Sequence, residues 1–259
     1  MRQTQGVLLD IDGVLTVSWE ALPGAVETLA WLRREGLPFR LITNTTTHTR
    51  RSLAATLGAA GFGVEPDEIV TAVVATASYL RAHHAGARVF VLSDGDAEED
   101  LDGIGLVDVD EAEIVVLGGA GEDFTYEALN RVFRRLAEGA TLVGMHRNLY
   151  WRTAEGWQLD GGAYVAGLEE ATGREAAICG KPSAAYFEEA LRLLGVPADR
   201  AVMVGDDVVN DVLGAQDAGV VGVLVRTGKF LPTDLERVDG TPDHVLESIA
   251  DLPAWLEAR

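Results

Sequence analysis

Eight short apolar runs, at 6–10, 38–43, 89–92, 114–118, 140–145, 175–179, 201–205 and 220–225, alternate with segments whose apolar residues recur at helical spacing. Runs so short and continuous describe strands buried on both faces, and strands separated by helix-length segments pair in parallel with the helices covering the sheet. The chain is therefore expected to be an α/β protein. The helical pattern is clear in 23–35, where Val26, Leu29, Ala30 and Leu32 share a face, and it returns in 50–60, 126–138, 163–172 and 184–194. Thr125 is an expected N-cap, and Gly139, Gly173 and Gly195 are expected helix stops.

Open parallel sheets bind ligands beyond the carboxyl ends of their strands. Residues 10–14, 43–46, 180–183 and 205–211 are polar segments that each follow an apolar run and precede a helix. They fall into two blocks, one before about residue 75 and one after about residue 178, and the stretch between them has no comparable acid cluster. This predicts a discontinuous catalytic core, 1–75 with 178–259, interrupted by an inserted domain at 76–177.

The first strand end carries Asp10 and Asp12, which alternation along an extended chain puts on one face. Two acids in one small space repel unless a cation lies between them. One acid as nucleophile, one as proton donor and a divalent cation would make a phosphoryl-transfer site, although the segment taken alone equally describes a solvated turn. Thr43 and Asn44, at the second strand end, offer a hydroxyl, an amide and main-chain N–H groups to phosphate oxygens, or serve simply as an N-cap cluster.

Lys181 lies between Gly180 and the helix-starting Pro182. Of 21 basic residues only Lys181 and Lys229 are lysine, and a lysine in an arginine-rich chain marks a place for a compact ammonium, unless the choice is chance. The last strand end, Gly205-Asp206-Asp207-Val208-Val209-Asn210-Asp211, sets three carboxylates within six residues after a buried strand, which is costly unless they meet cations. Asp206 would complete an oxygen shell for Mg²⁺, with Asp207 and Asp211 orienting Lys181 or metal-bound water. The competing view is a solvated helix start.

In this order, a D-x-D-G-V-L strand end, a Thr-Asn end, a Gly-Lys-Pro turn and a G-D-D-x-x-x-D end resemble the haloacid dehalogenase superfamily, and within it the NagD-type phosphatases. The resemblance runs nearly end to end, through 21–25, 123–129, 161–164 and 224–229. The segment His146-Arg147-Asn148-Leu149-Tyr150-Trp151 is similar to that of the phospholysine phosphohistidine inorganic pyrophosphate phosphatases and their hydrolase-domain relatives, and departs from the Thr-Asn-x-Asp run of other NagD-type members. The resemblance implies a Rossmann-like parallel-sheet core with an inserted α/β cap that sets substrate specificity. It implies that Asp10 is the nucleophile forming an aspartyl-phosphate and that Asp12 is the acid and then the base. By the same resemblance Asp10, the Asp12 carbonyl and Asp206 hold Mg²⁺, while Thr43, the Asn44 main chain and Lys181 stabilise the transferring group. His146, Arg147 and Tyr150 are candidate cap contacts to substrate, and the cap a candidate homodimer surface.

The expected activity is therefore a Mg²⁺-dependent phosphatase acting on a small phosphorylated compound, pyrophosphate and phosphoramidates included. A phospho-accepting receiver module is the alternative outside enzymes; phosphomutases and dehalogenases are alternatives within the superfamily. A net charge of −20 opposes nucleic acid and anionic membranes as partners. No apolar stretch approaches membrane-spanning length, Met1-Arg2-Gln3 leads directly into the first run, and Cys179 is the sole cysteine, which together lead us to expect a cytoplasmic protein. Three further signals are read as structural: Gly119-Ala120-Gly121 as a connection, the acidic run 94–100 as a solvated face, and His83-His84 as a helix end.

Overall fold

The computed structural model describes residues 4–153 and 156–258, so Met1–Gln3 lies outside the described residues. The chain divides into two compact units: residues 1–43, 50–70 and 181–259 form the first, and residues 44–49 and 71–180 the second.

A six-stranded sheet organises the first unit, in the spatial order His244–Leu246, Val221–Val225, Ala201–Gly205, Gly6–Asp10, Phe39–Thr43, Ile69–Thr71. Gly6–Asp10 lies in the middle and pairs in parallel on both sides, with Leu9 opposite Val204 and Leu41. Its five residues are all buried, as are those of Ala201–Gly205, which is why both read as unbroken apolar runs. On one face Val7, Leu9 and Val204 pack with Leu29 and Leu32 of the helix Ala25–Arg34 and with Leu53 and Leu57 of the helix Arg50–Ala59. Helix Ala184–Leu194 starts on Ser183, whose hydroxyl accepts from the Tyr186 N–H at 3.3 Å, and stops at Gly195 in the left-handed region.

Between Asp10 and the first helix, Thr16–Val17 and Glu20–Ala21 form a short antiparallel hairpin. Its two-residue turn, Ser18 and Trp19, has φ of 52° and 66°, the primed geometry that matches strand twist but suits Asn-Gly better than two residues with side chains.

In the second unit five parallel strands run in the order Ala177–Ile178, Thr141–Gly144, Ile114–Leu117, Arg88–Leu92, Gly105–Leu106. Tyr150–Thr153 and Gly156–Leu159 add a separate antiparallel pair. The helix Tyr126–Ala137 is capped by the Thr125 hydroxyl, which accepts from the Ala128 N–H at 3.1 Å. The helix Gly161–Thr172 begins two residues before its expected start because the Asp160 carboxylate accepts from the Gly161 N–H at 2.7 Å.

Parallel sheets flanked by helices realise the α/β class expected from the alternation. The expected strand at 175–179 narrows to Ala177–Ile178. In the parallel sheets the short strands Ile69–Thr71, Gly105–Leu106 and His244–Leu246 were not anticipated, nor were the two antiparallel pairs. Among the described residues no helix is long and apolar enough to cross a membrane.

Candidate active site

Because Gly6–Asp10, Phe39–Thr43 and Ala201–Gly205 all run the same way, their carboxyl ends open at one edge of the sheet. Asp10 registers with Ile42, and Gly205 immediately precedes Asp206. Lys181 reaches this edge from the loop before helix Ala184–Leu194. Asp211 comes from the π-helical turn Val208–Leu213, in which the Val212 N–H bonds back to the Asp207 carbonyl at 3.2 Å. Such wide turns recur at functional sites.

The Lys181 ammonium lies between two carboxylates, donating to Asp10 Oδ1 at 2.5 Å and to Asp211 Oδ1 at 2.7 Å. Asp10, Lys181, Asp206 and Asp211 are all buried. One oxygen from each of Asp10, Asp206 and Asp211 lies within 4.8 Å of the others. Asp206 Oδ2 accepts from the Lys229 N–H at 2.7 Å, whereas Asp206 Oδ1 is buried with no hydrogen-bond partner. Water or a ligand normally satisfies such an atom.

Burial dominates the electrostatics. It raises the Asp10 carboxyl to about 8, with Lys181 pulling it down and Asp211 and Asp206 pushing it further up. Burial likewise raises Asp206 to about 6 against the influence of Lys229. For Lys181 burial favours the neutral amine, but Asp10 and Asp211 overcome it and hold the ammonium well above the ordinary lysine value. The formal charges of three carboxylates and one ammonium sum to −2, which one divalent cation would balance. Hard oxygen donors and the unpartnered Asp206 Oδ1 fit Mg²⁺.

The surrounding loops grip this cluster closely. Gly13 and Gly228 have φ of 90° and 64°, and a Cβ on either would lie 2.1 Å from Asp206 Oδ2. The Thr227 hydroxyl fastens the two loops together by donating to the Gly13 carbonyl at 2.6 Å. Gly13→Ala combines left-handed strain with a collision on a buried carboxylate, so a loss of about 3 kcal/mol is expected in urea unfolding. A change under about 0.5 kcal/mol, the usual size at a tolerant surface position, would contradict this packing.

The remaining expected residues occupy distinct places. Asp207 caps the π-helical turn, its Oδ1 accepting from the Val209 and Asn210 N–H groups at 2.9 Å each, and it pairs with the Lys229 ammonium at 3.0 Å. Burial would raise the Asp207 carboxyl, but Lys229 and the Asn210 N–H together lower it. Asp12 is exposed and outside the carboxylate cluster; partial desolvation raises its carboxyl against the pull of Lys229 and Lys181. Thr43 ends the strand beside Asp10, its N–H donating to the Tyr186 hydroxyl at 2.8 Å.

Asn44, the next residue, belongs to the second unit, where its Oδ1 lies 2.7 Å from the position of a Cβ on Gly180. His146, Arg147 and Tyr150 belong to that unit too, each with partners of its own. His146 is buried, with Nδ1 accepting from the Asn148 N–H at 3.2 Å and Nε2 3.7 Å from Asp160; burial lowers its pKa against the pull of Asp160. Arg147 forks onto Glu169. Tyr150 is exposed, with its ring edge-on to Trp157.

Tyr186 is a site residue that reading the sequence missed, and Gly13, Thr227 and Gly228, which lie in stretches that carry the resemblance, had been given no role at the site. Lys229 was marked by the scarcity of lysine and by its place in the stretch 224–229, and it pairs with Asp207 beside the acid cluster.

Comparison with known proteins agrees with this architecture. A family model described as haloacid dehalogenase-like hydrolase matches residues 7–107, and a second, HAD-hydrolase-like, matches 178–252. Haloacid dehalogenase-like hydrolase domain-containing protein 2 from Homo sapiens is 39% identical over 95% of this chain and 93% of its own length. Phospholysine phosphohistidine inorganic pyrophosphate phosphatase from Rattus norvegicus is 38% identical over 95% and 93%. Among solved structures, a p-nitrophenyl phosphatase from Archaeoglobus fulgidus superposes with TM-score 0.91 at 31% identity over the whole of both chains. NagD from E. coli gives 0.88 at 28% identity over 96% and 98%. A relative this similar over nearly the full length settles the choice between a receiver module and an enzyme of this class: the chain belongs to the haloacid dehalogenase-like hydrolase family.

Proposed function

We propose that the protein is a Mg²⁺-dependent phosphatase that releases inorganic phosphate from a small phosphorylated substrate by way of an aspartyl-phosphate. The observation that carries this reading is the buried Lys181 ammonium bridging Asp10 and Asp211 beside an unpartnered oxygen of Asp206. An ammonium already aimed at the carboxylate that would attack can also neutralise an oxygen of the incoming phosphoryl group without reorganising. Asp10, Asp206 and the Asp12 carbonyl would hold Mg²⁺, which when bound would further neutralise the phosphoryl oxygens.

Asp10 attacks phosphorus as the bond to the leaving oxygen breaks, and Asp12 gives that oxygen its proton. Asp12 then takes a proton from the water that cleaves the acyl phosphate and frees Asp10. A carboxyl with a raised pKa that reaches solvent suits this alternation of acid and base. Thr43 and the Asn44 main chain hold oxygens of the transferring group. The first unit is the catalytic core and the second the specificity-bearing cap, with His146, Arg147 and Tyr150 as its candidate determinants and a homodimer formed through it. The name of the 38% identical phosphatase makes phosphoramidates and pyrophosphate the first natural substrates to try. The acidic charge opposes nucleic acid and anionic membrane surfaces as partners, and a single cysteine fits a cytoplasmic enzyme.

Assay of p-nitrophenyl phosphate with and without Mg²⁺ tests the reading: many turnovers that cease with EDTA support it, and no turnover refutes it. Thermal unfolding supplies a second check. Asp206 and Asp10 titrate in the fold near 6 and 8 instead of at 3.8, so the metal-free fold binds more protons than the unfolded chain. Its stability therefore falls as pH rises across that window. Mg²⁺ competes with those protons, so the gain in melting temperature it produces should grow from about pH 5.5 to about pH 8. A gain that shrinks with rising pH would contradict the site.

A further inference from the structure

Tyr186, in the first turn of helix Ala184–Leu194, is wholly buried, yet its hydroxyl is fully engaged by main chain from distant segments. It accepts from the Thr43 N–H at 2.8 Å and donates toward the Val70 carbonyl at 2.6 Å, with the Thr43 carbonyl at 3.0 Å. Phe39–Thr43 and Ile69–Thr71 are neighbours in the six-stranded sheet, so one rigid side chain ties the end of the first to the middle residue of the second. Thr43 and Val70 are also the last residues of their segments in the first unit. Strand ends open first in a folded protein, and an ångström of misplacement at a reacting centre costs about a hundredfold in rate. The Tyr186 hydroxyl thus holds the strand end next to Asp10 by accepting from the Thr43 N–H, and is itself fixed by donating to the Val70 carbonyl.

We propose that Tyr186 is a positioning residue of the phosphatase site: by pinning the main chain of Thr43 it holds the Thr43 hydroxyl where it meets the transferring phosphoryl group. The inference rests on the phosphatase reading and on the role given to Thr43 in it. Burial raises the phenol, so Tyr186 acts as a neutral hydrogen-bonding clamp and not as a proton donor in the reaction.

The test compares wild type, Tyr186→Phe, Thr43→Ala and the double variant in Mg²⁺-dependent hydrolysis of p-nitrophenyl phosphate, together with amide hydrogen exchange at Thr43. Tyr186→Phe should lower kcat by roughly 30- to 100-fold with little change in KM. It should speed exchange at the Thr43 amide by more than about tenfold while leaving Leu9, in the centre of the sheet, protected. In the double variant the loss should be no greater than in Thr43→Ala, because both changes remove one function. A purely structural role would instead lower the melting temperature and leave kcat below the transition unchanged. That result, additive losses, or an unaltered Thr43 amide would overturn the inference.

Should Tyr186→Phe fail to fold, exchange in the wild type decides: an unprotected Thr43 amide overturns the clamp, and a protected one supports it. If wild type itself shows no turnover, the phosphatase reading falls and takes this one with it. With turnover intact, the outcome bears on Tyr186 alone.

Discussion

Asp10→Asn is expected to remove turnover, by roughly 10⁴-fold or more, and to make the metal-free protein more stable. The two effects have one cause. Asp10 is buried against Asp206 and Asp211, and burial is what raises its carboxyl to about 8. Ionising Asp10 in the metal-free fold is therefore unfavourable, a cost that grows as pH rises toward 8. Asparagine keeps the shape and removes the charge, while Lys181 retains Asp211 at 2.7 Å. A gain of about 1–2 kcal/mol is expected at pH 8, shrinking toward pH 5, where the wild-type carboxyl is itself protonated. Urea unfolding in EDTA measures the gain and steady-state hydrolysis the loss. A variant as active as wild type, or one destabilised at pH 8, would contradict the role assigned to Asp10.

Lys181→Met should have the opposite effect on stability and a similar effect on rate. Removing the ammonium leaves Asp10 and Asp211 buried without their shared partner, and breaking a buried pair from one side costs about 3–5 kcal/mol. The rate should fall about 10³-fold, the scale of losing a preorganised group aimed at developing charge. Mg²⁺ separates the two effects. With the ammonium gone it becomes the main cation available to three carboxylates, so it should raise the melting temperature of Lys181→Met more than that of wild type, with no recovery of rate. Recovery of the rate by Mg²⁺ would show that Lys181 is replaceable charge and not part of the machinery.

Much of this arrangement was legible in the chain. Gly6–Asp10 and Ala201–Gly205 are buried on both faces, so each reads as a continuous apolar run whose end is marked by the first carboxylate. Parallel pairing then brings those ends to one edge, which is why Asp10, Lys181, Asp206 and Asp211 converge although up to about two hundred residues separate them. Rarity also carried information: both lysines of an arginine-rich chain pair with acids of this cluster.

What was not legible depends on neighbours in space. Gly13 and Gly228 look like ordinary turn glycines until Asp206 is seen to occupy the volume where a Cβ would lie. Tyr186 resembles any aromatic on a buried helical face, and only its hydroxyl contacts with Thr43 and Val70 set it apart. The helix Ala72–His83 ends where His83-His84 was expected to close one, but its start was not marked, because the buried face includes the polar Thr76 and the less buried one includes the apolar Val74 and Ala82 beside Ser78 and Arg81. The π-helical turn that brings Asp211 to Lys181 depends on a main-chain bond one residue longer than α-helical spacing, which side-chain periodicity does not reveal.

The central claim is that Asp10 carries the phosphoryl group within a carboxylate cluster organised by Lys181. Its most direct test is to quench the enzyme in acid during turnover of p-nitrophenyl phosphate, reduce the product with borohydride, and map the modified peptide. The account predicts homoserine in place of Asp10, formed only when substrate and Mg²⁺ are both present and absent from Asp10→Asn. Modification at any other residue, or full turnover with no trapped acyl phosphate under these conditions, would contradict it.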